Sequence, residues 1–322
     1  MPDLCLTCDT LPAMDPRQQL TLLAAAMTRD ALVANGASEV SFEPPVAGSL
    51  ATACSANGAS GFMAACPLFD LAAVQGDGPT LARKVGLEER LHAYGGRDLV
   101  LWVPPGAPLP DDADHAAGQI ADAARDLEVG EKGEVTFKVD VAVRKTGSDG
   151  SYMSVLGGLS QQWARFTNQV MGEYQLDASN IYRLPEDEQK ITQMVDFLVL
   201  VANGIRKEGV ATTVKGEDTW RIQRLGGVEE PIVVCAPPTS VVDGRMVRRL
   251  MRRSLREAEE AIGGASGFRI ASMVTLANSL DRELVTTALR GIDPLLLADW
   301  DYMPLLVDGQ TRTLLEPSAP LA

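Results

Sequence analysis

The chain has 322 residues, is 46% hydrophobic and 22% charged, and carries a formal net charge of −14, a profile that suits a soluble globular protein with one large core or two smaller ones. Such acidity opposes general binding to nucleic acid or anionic lipid, since both surfaces repel it. The longest apolar runs fall short of the roughly 18 residues a membrane span needs, and Met1-Pro2-Asp3-Leu4-Cys5 lacks the basic region and apolar run of a secretory signal.

Asp15-Pro16 opens the first helix, Asp as N-cap and Pro at the first helical position, and Asn35-Gly36 ends it. Val40 and Phe42 alternate in a short strand that stops at Pro44-Pro45. Asn57-Gly58 is a hairpin turn between residues 49 and 66, with a register that sets Cys54 opposite Gly61 and leaves Cys54 and Cys66 unpaired with each other. Pro67 starts a short helix through Val74, and a second helix runs from Gly78-Pro79 to Gly95-Gly96. Leu99 to Val103 is continuously apolar, the mark of a strand covered on both faces, and runs into Pro104-Pro105.

An acidic helix follows over 112–127, then an alternating strand over 135–143 that Gly147-Ser148-Asp149-Gly150 turns into a partner beginning at Ser151. Residues 152–182 are aromatic-rich and irregular, with strand character over 170–176. Pro185 begins a helix with a wide apolar face that Gly209 closes, and residues 210–225 read as a hairpin turning at Lys215-Gly216-Glu217-Asp218. Ile232 to Cys235 is a strand running into Pro237-Pro238. Asp243-Gly244 opens a helix with six arginines, Gly263-Gly264 ends it, and Phe268 to Leu276 is the next strand. A helix over 281–290, a helical turn at Asp293-Pro294 and a hairpin turning at Asp308-Gly309 complete the chain.

Strand–helix–strand alternation together with hairpins predicts a mixed α/β or α+β protein, a mixed sheet with covering helices. An acidic N-terminal region, 1–146, holds most of the charge imbalance: residues 1–150 have 11 Lys/Arg against 21 Asp/Glu. A C-terminal region, 147–322, carries the arginine helix. The order strand, Pro-Pro, helix, strand occurs over 99–143 and again over 231–276, which raises internal duplication; the plainer alternative is that Pro-Pro is a simple strand terminator.

If the Pro-Pro strands are parallel, their carboxyl ends share an edge where ligands bind in open α/β sheets. That edge would gather Pro104, Asp111, Asp112, Cys235, Thr239, Ser240, Asp243 and Arg245. Cys235 near a helix N-terminus could serve as a thiolate nucleophile with His115 as its base, in a thiol- or metal-assisted hydrolase or transferase. A packed apolar thiol is the stronger reading. Cys5-Leu6-Thr7-Cys8 has metal-ligand spacing but lacks a second pair of ligands, and Asp299-Trp300-Asp301 reads as a solvated turn. No cofactor motif stands out, and the odd number of five cysteines fits free thiols in a reducing cytoplasm.

On the arginine helix, Arg245, Arg249, Arg252, Arg253 and Arg256 share one side while Val247, Leu250, Met251, Leu255, Ala258 and Ile262 share the other. The planar fork of arginine suits carboxylate or phosphate. Three readings compete: a solvated face partly neutralised by Glu257, Glu259 and Glu260, a contact with an acidic surface (of this chain's own N-terminal half or of another subunit), and binding of nucleic acid or a phosphorylated ligand. The net charge disfavours the last. The expectation is a non-catalytic cytoplasmic binding or adaptor subunit that recognises a protein partner or itself.

Overall fold

The computed structural model describes residues 15–71, 78–235, 243–276, 282–318 and 321. Its helices begin and end where local chemistry provides partners for free backbone groups. Helix α1, Pro16–Ala34, is capped by Asp15, whose carboxylate accepts from Gln18 N at 3.1 Å. The further helices are α2 (Gly78–Ala93), α3 (Ala113–Ala123), the single turn α4 (Trp163–Phe166), α5 (Glu188–Gly204), α6 (Gly244–Ile262) and α7 (Arg282–Leu289). Strands are β1 (Ser41–Phe42), β2 (Ala51–Ala56), β3 (Ala59–Pro67), β4 (Leu99–Val103), β5 (Lys132–Gly147), β6 (Ser151–Gly157), β7 (Gly172–Ala178), β8 (Ala211–Arg224), β9 (Ile232–Cys235), β10 (Phe268–Thr275), β11 (Met303–Val307) and β12 (Gln310–Leu315). They form two mixed six-stranded sheets, so the fold is α/β with covering helices. Among the described residues no helix is long and apolar enough to cross a membrane.

The chain divides into two compact units, each built from separate stretches of sequence. One comprises residues 1–102, 108–132 and 223–322; the other comprises 103–107 and 133–222. In the first, the sheet order is β1-β2-β3-β10-β11-β12, with β3, β10 and β11 parallel and the flanking pairs antiparallel. Successive β3 residues alternate between two cores: Met63 and Ala65 pack with Leu23, Met27 and Leu32 of α1, whereas Ala64 and Cys66 pack with Val247, Met251 and Leu255 of α6. The sheet is therefore buried on both faces, and Thr28 of α1 is joined to Ser272 of β10 by a buried hydroxyl pair at 2.7 Å. The Asn57-Gly58 turn has φ of 51° and 78°, and Cys54 pairs with Gly61 as the register requires. The β11–β12 hairpin turns at Asp308-Gly309, with φ of 48° and 77°.

In the second unit the strand order is β6-β7-β5-β8. Ile191, Val195, Leu198 and Ala202 of α5 pack with Val141, Val143, Met153 and Leu176. Two expected hairpins are absent here. In place of a hairpin over 210–225 there is one continuous strand, β8, Ala211–Arg224. Gly216 is not a turn residue: a Cβ there would lie 2.5 Å from Val141 Cγ2, so the glycine permits close packing. The chain does reverse after β5, yet β7 lies between β5 and β6, antiparallel to the first and parallel to the second. Helix α5 also ends at Gly204 instead of Gly209, because Ile205 turns extended (ψ 108°) and is buried.

The proposed duplication finds no counterpart in topology. Strand β10 lies between β3 and β11 in the first sheet, whereas β5 lies between β7 and β8 in the second. Pro67 does not start the helix expected over 67–74: it is the last residue of β3, pairing with Val274, and residues 68–70 are not helical, while 72–74 and Pro237-Pro238 fall outside the described residues.

Candidate functional site

Helix α6 is fixed at both ends and along one face. Asp243 caps it by accepting from Met246 N at 2.7 Å, and Gly263 closes it in the left-handed conformation at φ 63°. Ser254 donates to Pro67 O at 2.6 Å, tying the helix to the end of β3, and Val247, Met251, Leu255 and Ala258 are buried beside it. What faces outward is the arginine cluster.

The six arginines divide into two groups. Arg248 and Arg252 reach the C-terminal end of α7, where Arg252 donates to Gly291 O at 2.8 Å and Arg248 to Ala288 O at 3.4 Å. Cations there complement the negative end of a helix dipole. Gly291 makes the approach possible, since a Cβ on it would lie 2.4 Å from the Arg248 guanidinium. Arg245, Arg249, Arg253 and Arg256 are exposed. Arg253 has a long ion pair to Glu257 at 3.7 Å. Among the described residues Arg245, Arg249 and Arg256 have no acidic partner.

Charge along α6 runs against its own dipole. The N-terminal end of a helix favours anions and the C-terminal end cations, yet all six arginines occupy 245–256 and Glu257, Glu259 and Glu260 follow. Arg253–Glu257 is also the less favourable order for an i,i+4 pair. Only Arg245 stands in the first turn and Glu259 and Glu260 in the last, so the opposition to the dipole acts at the two ends of the helix and not along the whole arginine row.

The alternative catalytic set is dispersed. Cys235 sits half-buried at the end of β9, and burial pushes its thiol up to about 11, with Lys84 opposing and Glu88 reinforcing the rise; that is the wrong direction for a thiolate nucleophile. His115 is exposed on α3, Asp243 is committed to its cap, and no hydrogen bond or ion pair joins either to Cys235. Asp111 pairs with Arg83 at 2.7 Å, and Asp112 caps α3. Asp301 accepts from Arg269 N and Ser318 Oγ. Cys5, Cys8, Thr239 and Ser240 lie outside the described residues, and among those described no cluster of His, Cys, Asp and Glu could hold a metal.

Cys235 does line a cavity, with Leu20, Leu23, Phe69, Ile232 and Leu276, of about 60 Å³. That is well below the size of a typical ligand site. Its polar wall, Gln19 and Lys84, escaped the sequence reading, as did Glu88, which bonds to both. Glu88 of α2 accepts from Val233 N at 2.9 Å and from Gln19 Nε2 at 3.1 Å, and Lys84 donates to Gln19 Oε1 at 2.7 Å. Burial raises the Glu88 carboxyl, against the lowering effect of Lys84 and these hydrogen bonds. The available signal was an i,i+4 Lys–Glu pair on the same side of α2 as the buried Leu87 and Leu91. A larger groove of about 510 Å³ runs between α1 and β1, where Arg29 binds Asp30 and Gly226 O and Glu230 meets His92 Nδ1 at 2.8 Å. The chain matches no protein-family model, no curated protein and no solved structure.

Proposed function

We propose that the chain is a non-catalytic binding subunit of a cytoplasmic assembly, and that the arginine face of α6 seats on an acidic surface of a protein partner. The observation that carries this reading is the row of exposed guanidiniums on α6, of which Arg245, Arg249 and Arg256 have no acidic partner among the described residues. Carboxylates of a partner would relieve the mutual repulsion of Arg245, Arg249 and Arg256 and accept their paired donors. An acidic protein is a better fit than nucleic acid, because the remainder of this chain would repel a phosphate backbone.

The test is affinity capture with the full chain at low and high salt, wild type against Arg249→Glu with Arg253→Glu. Loss of a captured acidic protein in the double variant, and its release from wild type by salt, is the expected result. A capture profile that charge reversal leaves unchanged refutes the reading. Binding of oligonucleotides with a steep salt dependence would move it to nucleic acid.

A further inference from the structure

Sheet edges are templates for another strand unless something guards them, and in this chain the edges are not guarded alike. Strand β1 is two residues long and runs into Pro44-Pro45. Strand β12 carries Arg312 and leads into Glu316-Pro317. Strand β9 is four residues long, three of them buried. Strand β6 differs. It is the terminal strand of the second unit's sheet, seven residues long, Ser-Tyr-Met-Ser-Val-Leu-Gly, without charge or proline, and its register with β7 runs unbroken from Ser151 to Gly157. No hydrogen bond among the described residues engages its backbone from the side away from β7.

We propose that β6 is a self-association edge, at which a second copy of this chain adds its own β6 in antiparallel pairing about a twofold axis at Ser154. The sequence of the strand is complementary to itself in that register. Residues 152 and 156 are brought opposite each other, as are 153 and 155, while Ser154 faces its own copy. Tyr152 and Leu156 lie on one face of the strand and are 53% and 48% exposed, far more than the buried Met153 between them. Two Tyr–Leu cross-strand pairs would cover them, and aromatic–aliphatic pairs of this kind stabilise sheets.

Charge favours the same occupant. Residues 150–164 contain no charged side chain, so no like charges meet across the axis. The unit that carries β6 holds 12 acidic and 10 basic residues, a net −2 of the chain's −14, so the surface that would meet its copy is itself close to neutral. Antiparallel twofold pairing also uses each edge once and closes the assembly at a dimer.

The experiment is sedimentation of the full chain at micromolar concentration, wild type against Tyr152→Lys with Leu156→Lys, both on the solvent-facing side of the edge. Wild type should sediment at twice the chain mass and the double variant at the chain mass, with its thermal midpoint retained. A Ser154→Cys variant should form an intermolecular disulfide under mild oxidation that wild type does not form. A monomeric wild type, a dimer that survives both lysines, or a dimeric Ser154→Cys sample without the new crosslink overturns the proposal. The Arg249→Glu, Arg253→Glu variant should remain dimeric, which separates this edge from the arginine face.

Discussion

Replacing Arg245 by Glu should make the protein more stable, although it removes one of the charges on which the proposed contact depends. Arg245 follows Gly244 in the first turn of α6 and is exposed. A charge at this position contributes about 0.3–1 kcal/mol through the helix dipole. Reversal removes an unfavourable contribution and adds a favourable one, about 0.6–2 kcal/mol together. The new Glu also stands four residues before Arg249, the better order for an i,i+4 pair, which contributes about 0.2–0.5 kcal/mol. A net gain of about 1–2 kcal/mol corresponds to about 1.5–3 °C in thermal midpoint for a chain of 322 residues. The assay is urea unfolding at 20 mM and 1 M NaCl, with m held equal between variants. In 1 M salt the Debye length is about 3 Å, so most of the gain should vanish. Equal or lower stability at low salt, or a gain that salt leaves intact, would refute the argument that α6 carries its charge against its own dipole.

Glu88 offers a pH test. Its carboxyl is raised from the ordinary 4.5, so between that value and the folded one the native state binds more protons than the unfolded state, and stability falls as pH rises through the window. Glu88→Gln should flatten that slope, as read from urea midpoints between pH 4 and 8; an unchanged slope assigns it elsewhere. Thr28 and Ser272 provide a cycle in the buried interface between α1 and β10. Thr28→Val alone should cost about 1–3 kcal/mol by stranding the Ser272 hydroxyl, and adding Ser272→Ala should recover part of the loss. Strictly additive effects would mean that the two hydroxyls do not depend on each other.

Features written in a few adjacent residues were legible in the sequence. Asp15, Asp243 and Gly263 cap the helices they were expected to cap, and Asn57-Gly58 sets a register that brings Cys54 to Gly61. These depend on φ preferences and single hydrogen bonds that travel with the residue. Features that depend on a neighbour from elsewhere in the chain were not legible. Gly216 has the composition of a turn and is a contact point for Val141. The reversal at 147–150 is written locally, but the place of β7 beside β5 is not: skipping one strand needs a step of roughly 10 Å, which four residues can span. The division of the arginines followed the same rule. Helical spacing placed them outward, while the commitment of Arg248 and Arg252 to α7 depended on where the carbonyls of Ala288 and Gly291 came to lie.

The parallel pairing of β3 with β10 has a consequence for synthesis. Gly61 waits for Phe268, 207 positions later in the chain. At about 5–20 residues per second the ribosome needs about 10–40 s to supply that partner. Throughout that interval the apolar run from Met63 to Cys66, fully enclosed in the finished protein, has β2 on one side and nothing from its own sheet on the other. The second unit, encoded within the gap, can condense meanwhile and shorten the loop that must close. The nascent chain is therefore a candidate client for a chaperone in that interval, and slowing the translation of residues 223–268 should lower the yield of folded protein more than slowing any stretch after them.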